Sequence, residues 1–224
     1  MKLTRIMASA AISICIPFAP AFTGNGHAGT AEGKKAFDSK KCGGCHQQTG
    51  PAKEKTIADQ LAKKGPELWY AGSKLQKPFL QKWLRDPKPI RPMEFYSLTK
   101  KNAGNHPRLD GKNADDVADY LMSLTSPDVK NLGLQPKSGA MAKLVIGKKY
   151  GCYGCHGNKQ GSEVGGGVTG PSFVGAGERL QADWIYAYLS NPKVFKPVKD
   201  MPVYVGLAPD GDMRTLAELI SSFK

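Results

Sequence analysis

Apolar residues recur along the chain in short helical stretches set between loops rich in glycine, proline and lysine. Phe79, Leu80, Trp83 and Leu84 fall at i, i+1, i+4 and i+5 of a segment from Lys77 to Arg85, which gives one apolar face at helical period. Trp184, Ile185, Tyr188 and Leu189 repeat that pattern between Ala182 and Ser190. Pro87 and Pro192 follow closely and end both helices. A helix is predicted over about Ala31 to Lys41 with Ala36 and Phe37 on its buried side, and another over about Gly139 to Tyr150 carrying Met141, Leu144, Val145 and Ile146. Two more run from Ala114 to Leu124, with Val117, Tyr120, Leu121 and Leu124, and from Met213 to Phe223, with Leu216, Leu219, Ile220 and Phe223. The Gly- and Lys-bearing stretches between them read as irregular loops. The pattern predicts an all-α protein.

The pattern is also duplicated. A shift of 105 residues lays Gly65-Pro66 on Gly170-Pro171, Ala71-Gly72 on Ala176-Gly177, Leu75-Gln76 on Leu180-Gln181, Leu84 on Leu189 and Pro87-Lys88 on Pro192-Lys193. Trp83 then meets Tyr188 and Phe79 meets Trp184, with no gap from 65 to 88. An internal repeat of this length predicts two copies of one small fold. The boundaries are residues 29–127 for the first copy and 139–224 for the second, with a linker at 128–138 inside the Pro- and Gly-bearing stretch Thr125 to Ser138.

Residues 1–28 stand apart. Lys2 and Arg5 precede a mostly apolar run from Ile6 to Ala21, and small residues follow, which is the order of a secretory signal. Cleavage is expected after Ala28, with Ala21 the alternative; an uncleaved anchor is disfavoured because the apolar run is short for a bilayer span. Nothing later is apolar enough to cross a membrane, so the mature chain is expected to be exported to the periplasm without a permanent span. Removing Lys2 and Arg5 lowers the formal charge from +13 to +11. A basic exported product suits an acidic protein partner. Nucleic acid is not expected, because an exported chain rarely meets it and the lysines are scattered.

Each copy opens on the same chemistry. The first reads Cys42-Gly-Gly-Cys45-His46 and the second Cys152-Tyr-Gly-Cys155-His156, offset by 110, so the first copy has five extra residues before its Gly-Pro. Of five cysteines, Cys15 leaves with the leader and the other four all lie in these motifs. Two disulfides would each span a strained two-residue gap and leave the adjacent histidines unexplained. A zinc site would need both pairs to converge on one ion. C-x-x-C-H is the attachment motif for covalent haem, in which both thiols bond the porphyrin and the histidine ligates iron. Two such motifs, using every mature cysteine behind an export signal, predict two covalently bound haem c groups.

On these motifs each half resembles a class I cytochrome c domain, and the whole is similar to soluble dihaem cytochromes c of bacteria. The resemblance implies N- and C-terminal helices crossing near the haem, a carbonyl from Gly65-Pro66 or Gly170-Pro171 on the proximal histidine, and a methionine as usual sixth ligand. Met201, in the sequence Lys-Asp-Met201-Pro202, fits for the second haem. The first half departs from the pattern, and two residues compete there. Met93 lies six residues after Pro87, and His106, followed by Pro107, lies 14 before Tyr120. The implied function is transfer of single electrons between redox protein partners, with no catalytic residues. Lys159, Lys193, Lys196 and Lys199 are candidates for a docking rim, and Trp69, Trp83 and Trp184 for tight packing. The alternatives are a cytochrome subunit of a larger dehydrogenase or oxidase complex, or a dihaem enzyme with an accessible iron.

Overall fold

Helix α1 (Ala28–Ser39) turns Ala36 and Phe37 inward against α5 (Gly111–Ser123), as the apolar spacing requires. The computed structural model describes residues 28–94, 97–198, 201 and 210–224, so the expected leader, with Cys15 and His27, lies outside the described residues. The two helices cross at Gly33, where a Cβ would stand 1.8 Å from the carbonyl oxygen of Asp116; only hydrogen fits there. Phe37 and Tyr120 meet edge to face, ring centroids 5.4 Å apart. Asp110 caps α5, its carboxylate accepting the Asn113 N–H.

The segments with the clearest helical period form where expected: α4 spans Lys77–Arg85 and α8 spans Ala182–Ser190. Both stop two residues before a proline. Asp86 (φ −141°, ψ 74°) and Asn191 (φ −146°, ψ 74°) are pushed out of the helical region by the ring that follows. Each of α4 and α8 is preceded by a short turn of helix, α3 (Ala71–Lys74) and α7 (Ala176–Arg179). These turns lie against the last turns of α5 and of α10 (Asp210–Ile220). The contact is close: a Cβ on Gly72 would reach within 2.1 Å of Met122 O, and one on Gly177 within 2.0 Å of Ser221 O. Their amides instead donate to Leu124 O (2.8 Å) and Phe223 O (2.9 Å).

Three local features depart from the expected outline. The loop after the first Cys-His motif contains a helix, α2 (Ile57–Leu61), nucleated by a reciprocal cap between Thr56 and Asp59. The loop after the second contains a hairpin, β1 (Gly157–Gln160) with β2 (Glu163–Gly166), paired antiparallel from Gly157↔Gly166 to Gln160↔Glu163. Its two-residue turn is made possible by Gly161 at φ +65°. The fold is therefore helical with one small sheet, not purely α. The helix expected from Gly139 is α6 (Ala140–Leu144) followed by a π turn over Val145–Lys149, which carries Ile146 into the core. A further turn, α9 (Pro192–Phe195), starts on Pro192, whose fixed φ suits a first helical position.

Two hydrophobic clusters form the core. One gathers Phe37, Leu80, Leu84, Val117 and Leu121. The other gathers Ile146, Trp184, Ile185, Phe195, Leu216 and Leu219, and takes in Trp69 and Tyr70 from the N-terminal half. Tyr70 stacks on Trp184 (6.2 Å, 9° between planes) and Trp69 on Phe195 (6.1 Å, 18°). Beside these rings the halves pair backbone to backbone. Leu75 and Leu180 form an antiparallel bridge in which Gln76 N–H donates to Arg179 O and Gln181 N–H to Lys74 O, both at 2.9 Å. The Gln181 side chain donates to Gly72 O (2.7 Å) and Leu75 O (2.8 Å), and that of Gln76 to Leu180 O (3.3 Å). Leu75 and Leu180, and Gln76 and Gln181, are the residues 105 apart in sequence, so the contact has a local two-fold relation, as in an isologous dimer interface. The connecting segment is pinned rather than slack: Leu132 and Leu134 amides donate to the Asp183 carboxylate at 3.0 and 3.1 Å. Among the described residues no helix is long and apolar enough to cross a membrane.

Candidate functional site

Each Cys-x-x-Cys-His motif is a single 3-10 turn, Cys42–Gly44 and Cys152–Gly154, entered through a left-handed residue. Lys41 (φ 56°, ψ 30°) does this in the first copy and Gly151 (φ 60°, ψ 27°) in the second. The turn closes when the His46 amide donates to Cys42 O (3.0 Å) and the His156 amide to Cys152 O (3.1 Å). No disulfide joins Cys42, Cys45, Cys152 or Cys155. Burial pushes the Cys42 thiol up and the Cys152 thiol up to about 11, so both hold their protons at neutral pH. Among the described residues no three His, Cys, Asp or Glu side chains gather to hold a metal, so the cysteine pairs do not converge on a shared zinc.

The histidines are held alike. His46 Nδ1 lies 2.8 Å from Pro66 O and His156 Nδ1 lies 2.7 Å from Pro171 O. A carbonyl only accepts, so the proton sits on Nδ1 and the Nε2 lone pair is left for a metal. Burial lowers the pKa of both rings, and the Arg91 charge adds to this at His156 in a smaller way, so both are neutral imidazoles near pH 7. The glycines before the prolines make the approach possible. A Cβ on Gly65 would lie 2.7 Å from His46 Cε1, and one on Gly170 would lie 2.6 Å from both His156 Cε1 and Nδ1. Downstream, the Leu68 amide donates to Gln47 O (2.8 Å) and the Phe173 amide to Gly157 O (2.7 Å), one step of the same frame in each copy. The side chains differ: Phe173 stacks flat on His156 (4.3 Å, 7°). Phe173 was not singled out from sequence, because its counterpart Leu68 is an ordinary apolar residue.

The residues considered for the sixth positions are placed as follows. The His106 ring faces that of His46, with centroids 5.9 Å apart and planes at 50°. Its Nδ1 lies 2.8 Å from Pro107 O, so its Nε2 is also left free. Trp83 backs it at 4.6 Å, and Trp83 Nε1–H is anchored on Lys88 O (2.8 Å). Met93 pairs with Lys101 in an isolated antiparallel backbone bridge. Met201 is half-buried and packs on the C-terminal core; Pro202 lies outside the described residues. Met213, the other methionine nearby, is buried in the core.

Three buried donors have no acceptor among the described residues: Trp69 Nε1–H, Tyr70 O–H and Trp184 Nε1–H. Lys74 Nζ lies 4.6 Å over the Trp184 ring and has no carboxylate partner among the described residues. Orphaned buried donors beside Lys74, whose pKa burial lowers to about 7, fit an anionic acceptor such as the carboxylates of a porphyrin, which would hold the lysine protonated. Of the four lysines considered for a docking rim, Lys159 and Lys193 are exposed and Lys199 lies outside the described residues. Lys196 does not belong to a rim: its ammonium is ion-paired with buried Glu67 of the other half.

Residues 30–125 match the Cytochrome c family model. No match is found among curated proteins or among solved structures. The family match supports a helical cytochrome c domain in the N-terminal half, and with it covalent haem c, iron and electron transfer. The second motif, Cys152 to His156, lies beyond the matched range.

Proposed function

We propose that this protein is an exported dihaem c-type cytochrome, built of two tandem domains, that passes single electrons between protein partners in the periplasm. One observation carries the reading: the same histidine geometry, Nδ1 fixed by a proline carbonyl and Nε2 free, occurs at both Cys-x-x-Cys-His motifs. Cys42 and Cys45 would bond the first haem and His46 ligate it; Cys152, Cys155 and His156 would do so for the second. His106, whose ring faces His46, is the sixth ligand we assign at the first site in preference to Met93, and Met201 the one at the second. The bound haem supplies an iron that changes valence by one electron.

The chain supplies the rest. The proline carbonyls hold each imidazole in one tautomer and make it a stronger donor. Trp69, Tyr70 and Trp184 would offer buried hydrogens to haem carboxylates, which would in turn hold Lys74 protonated. With two protein ligands at each iron, no position stays open for a substrate, which favours carriage over catalysis. A second imidazole lowers a haem potential relative to a thioether. With His106 at the first site and Met201 at the second, the N-terminal half would hold the lower potential, and electrons would run from the N-terminal to the C-terminal half.

A spectropotentiometric titration tests this. Two one-electron waves are expected, with a near-infrared methionine–iron band of single-haem intensity assigned to the upper wave. A band of twice that intensity overturns His106 as a ligand, and an intact mass with fewer than two haems overturns the dihaem reading. Prompt binding of carbon monoxide or cyanide by the isolated protein would restore an enzyme role. Exposed lysines such as Lys159 and Lys193 would steer an acidic partner, so the electron-transfer rate should fall as salt rises.

A further inference from the structure

The loop between His46 and Gly65-Pro66 holds a helix turned inside out. Ile57, Ala58 and Leu61 of α2, with Ala62 at its cap, fall at i, i+1, i+4 and i+5, the spacing that gathers apolar residues on one side. In α4 the same spacing leads inward and buries Leu80 and Leu84. In α2 it leads outward: Ile57 is 57% and Leu61 55% exposed, and both alanines are exposed. What this segment buries is polar. Gln60 and the preceding Glu54 are both buried, and Gln60 Oε1 and Glu54 Oε2 have no donor among the described residues. The second copy has the β1–β2 hairpin in the corresponding loop, so the face belongs to the N-terminal half alone.

Ionic contacts hold α2 in this orientation. Glu54 pairs with Lys63, Lys63 with Glu67, and Glu67 with Lys196 of the C-terminal half. Asp59 is committed to the cap, where its carboxylate accepts the Lys55 and Thr56 amides, both at 2.9 Å. Two acids are thus buried against buried ammonium groups, and one exposed acid remains. Lys53, Lys55 and Lys64, which flank the helix, are exposed, and none of their ammonium groups is ion-paired among the described residues. The outer surface is therefore an apolar strip with a positive border. It stands close to the first site. Leu61 and Gly65 are four residues apart, at most about 14 Å of chain, and Gly65 is the glycine that lies against the His46 ring.

We propose that the outer face of α2 is the docking surface for an acidic electron-donor protein, which passes its electron to the first haem. This rests on the electron-carrier reading and names the place where the electron enters. The donor gives up one electron and the first haem accepts it; no bond forms or breaks. Single exposed apolar side chains are ordinary. A helix that shows its whole apolar face to solvent while burying an unsatisfied amide works against its own stability, and such local conflicts are expected at functional positions. The two parts of the surface divide the work: the lysines speed the encounter with a negative partner, and the strip holds it once water is excluded. About half of each of Ile57 and Leu61 is open to solvent, and covering that much apolar surface strengthens an association about tenfold. Lys159 and Lys193, on the C-terminal half, are left for the partner that takes the electron away.

Stopped-flow reduction of the oxidised holoprotein tests this with two reductants, a reduced plant-type 2Fe–2S ferredoxin as the acidic protein and an uncharged small hydroquinone. The double variant Ile57→Ser with Leu61→Ser should slow the ferredoxin reaction about tenfold and leave the hydroquinone reaction and the denaturation midpoint unchanged. The triple variant Lys53→Gln, Lys55→Gln and Lys64→Gln should slow the ferredoxin reaction and flatten its fall with rising salt. Met141→Ser, which alters an apolar residue 72% exposed on α6 of the other half, should change neither rate. An unchanged ferredoxin rate in the double variant, a hydroquinone rate that falls with it, or an equal slowing by Met141→Ser overturns the proposal. So does a parent protein that sediments as a dimer where the double variant sediments as a monomer, which would give the face to a second copy of the chain. A protein without covalent haem would be reduced by neither donor; that outcome overturns the electron-carrier reading instead and is visible in the intact mass.

Discussion

Replacing Gly170 by alanine isolates the device that orients the second histidine. The new Cβ would stand 2.6 Å from His156 Cε1 and Nδ1 and 3.0 Å from Cys155 O, where ordinary carbon contacts begin near 3.4 Å. The ring cannot retreat freely, because Phe173 stacks on it at 4.3 Å and Pro171 O holds Nδ1 at 2.7 Å. Forcing an extra methyl into such a site costs about 1–3 kcal/mol. A weakened hydrogen bond adds about 0.5–1.5 kcal/mol. Gly170 does not need a left-handed φ, so alanine also restricts the unfolded chain and returns about 0.4–1 kcal/mol. The net loss is then about 1–3 kcal/mol, which for a chain of this size is roughly 2–4 °C of melting temperature per kcal/mol. Guanidinium unfolding of the holoprotein followed by far-ultraviolet circular dichroism measures it. Gly154→Ala is the control: a Cβ there meets nothing within 4 Å, and its midpoint should stay within about 0.5 kcal/mol of the parent. A Gly170→Ala protein as stable as the control, with an unshifted second-haem potential, would refute the claim that this glycine exists to admit the imidazole.

Other expectations follow from single positions. Lys41→Gly should stabilise the protein by up to about 1 kcal/mol, because Lys41 holds a left-handed φ of 56° that Gly151 adopts without strain in the other copy; a lowered denaturation midpoint would contradict this. Gln181→Leu removes both donors to Gly72 O and Leu75 O at the two-fold contact and should cost about 1–3 kcal/mol in the same assay, while an unchanged midpoint would mean that the contact adds nothing. The Asp59 carboxylate is held below its ordinary range by the Lys55 and Thr56 amides, so its support of α2 is complete above about pH 4 and is lost as pH falls through the depressed folded value. Amide exchange in α2 should quicken below that pH, and Asp59→Asn should abolish the dependence.

The parts of the fold legible in sequence are those where a local rule and tertiary packing agree. α4 and α8 have an apolar face at helical period and a proline just past the end, and both form at the expected residues. The hairpin after the second motif gave no such sign. Its one large apolar residue, Val164, is 64% exposed, so there is no buried face to impose alternation. Only the Gln160-Gly161-Ser162-Glu163 turn hinted at it. The Thr56-x-x-Asp59 cap of α2 was readable and was passed over within a polar stretch. At the site, the resemblance to cytochrome c domains implied the histidine carbonyls at Gly65-Pro66 and Gly170-Pro171, but Lys196 looked like a surface lysine. Its partner Glu67 lies 129 residues earlier in the chain, and only the packing of the two halves brings them together. The facing rings of His106 and His46 are likewise a tertiary fact, since residue spacing supported Met93 as well.

The repeat sorts its own residues by what they do. Positions identical at the 105-residue offset, Gly65/Gly170, Gly72/Gly177, Leu75/Leu180 and Gln76/Gln181, are those where backbone meets ring or backbone and any larger or different side chain would break the geometry. Positions that differ, Glu67/Ser172 and Leu68/Phe173, directly follow the Pro66 and Pro171 carbonyls that hold the two histidines, and their side chains are not needed to hold the frame. Two equal sites would share an electron evenly, with no free-energy difference to direct it. In a symmetric frame a direction has to come from side chains that break the symmetry without disturbing it. The carboxylate and the stacked ring are such side chains, and both sit within two residues of the Gly-Pro segments that orient the imidazoles.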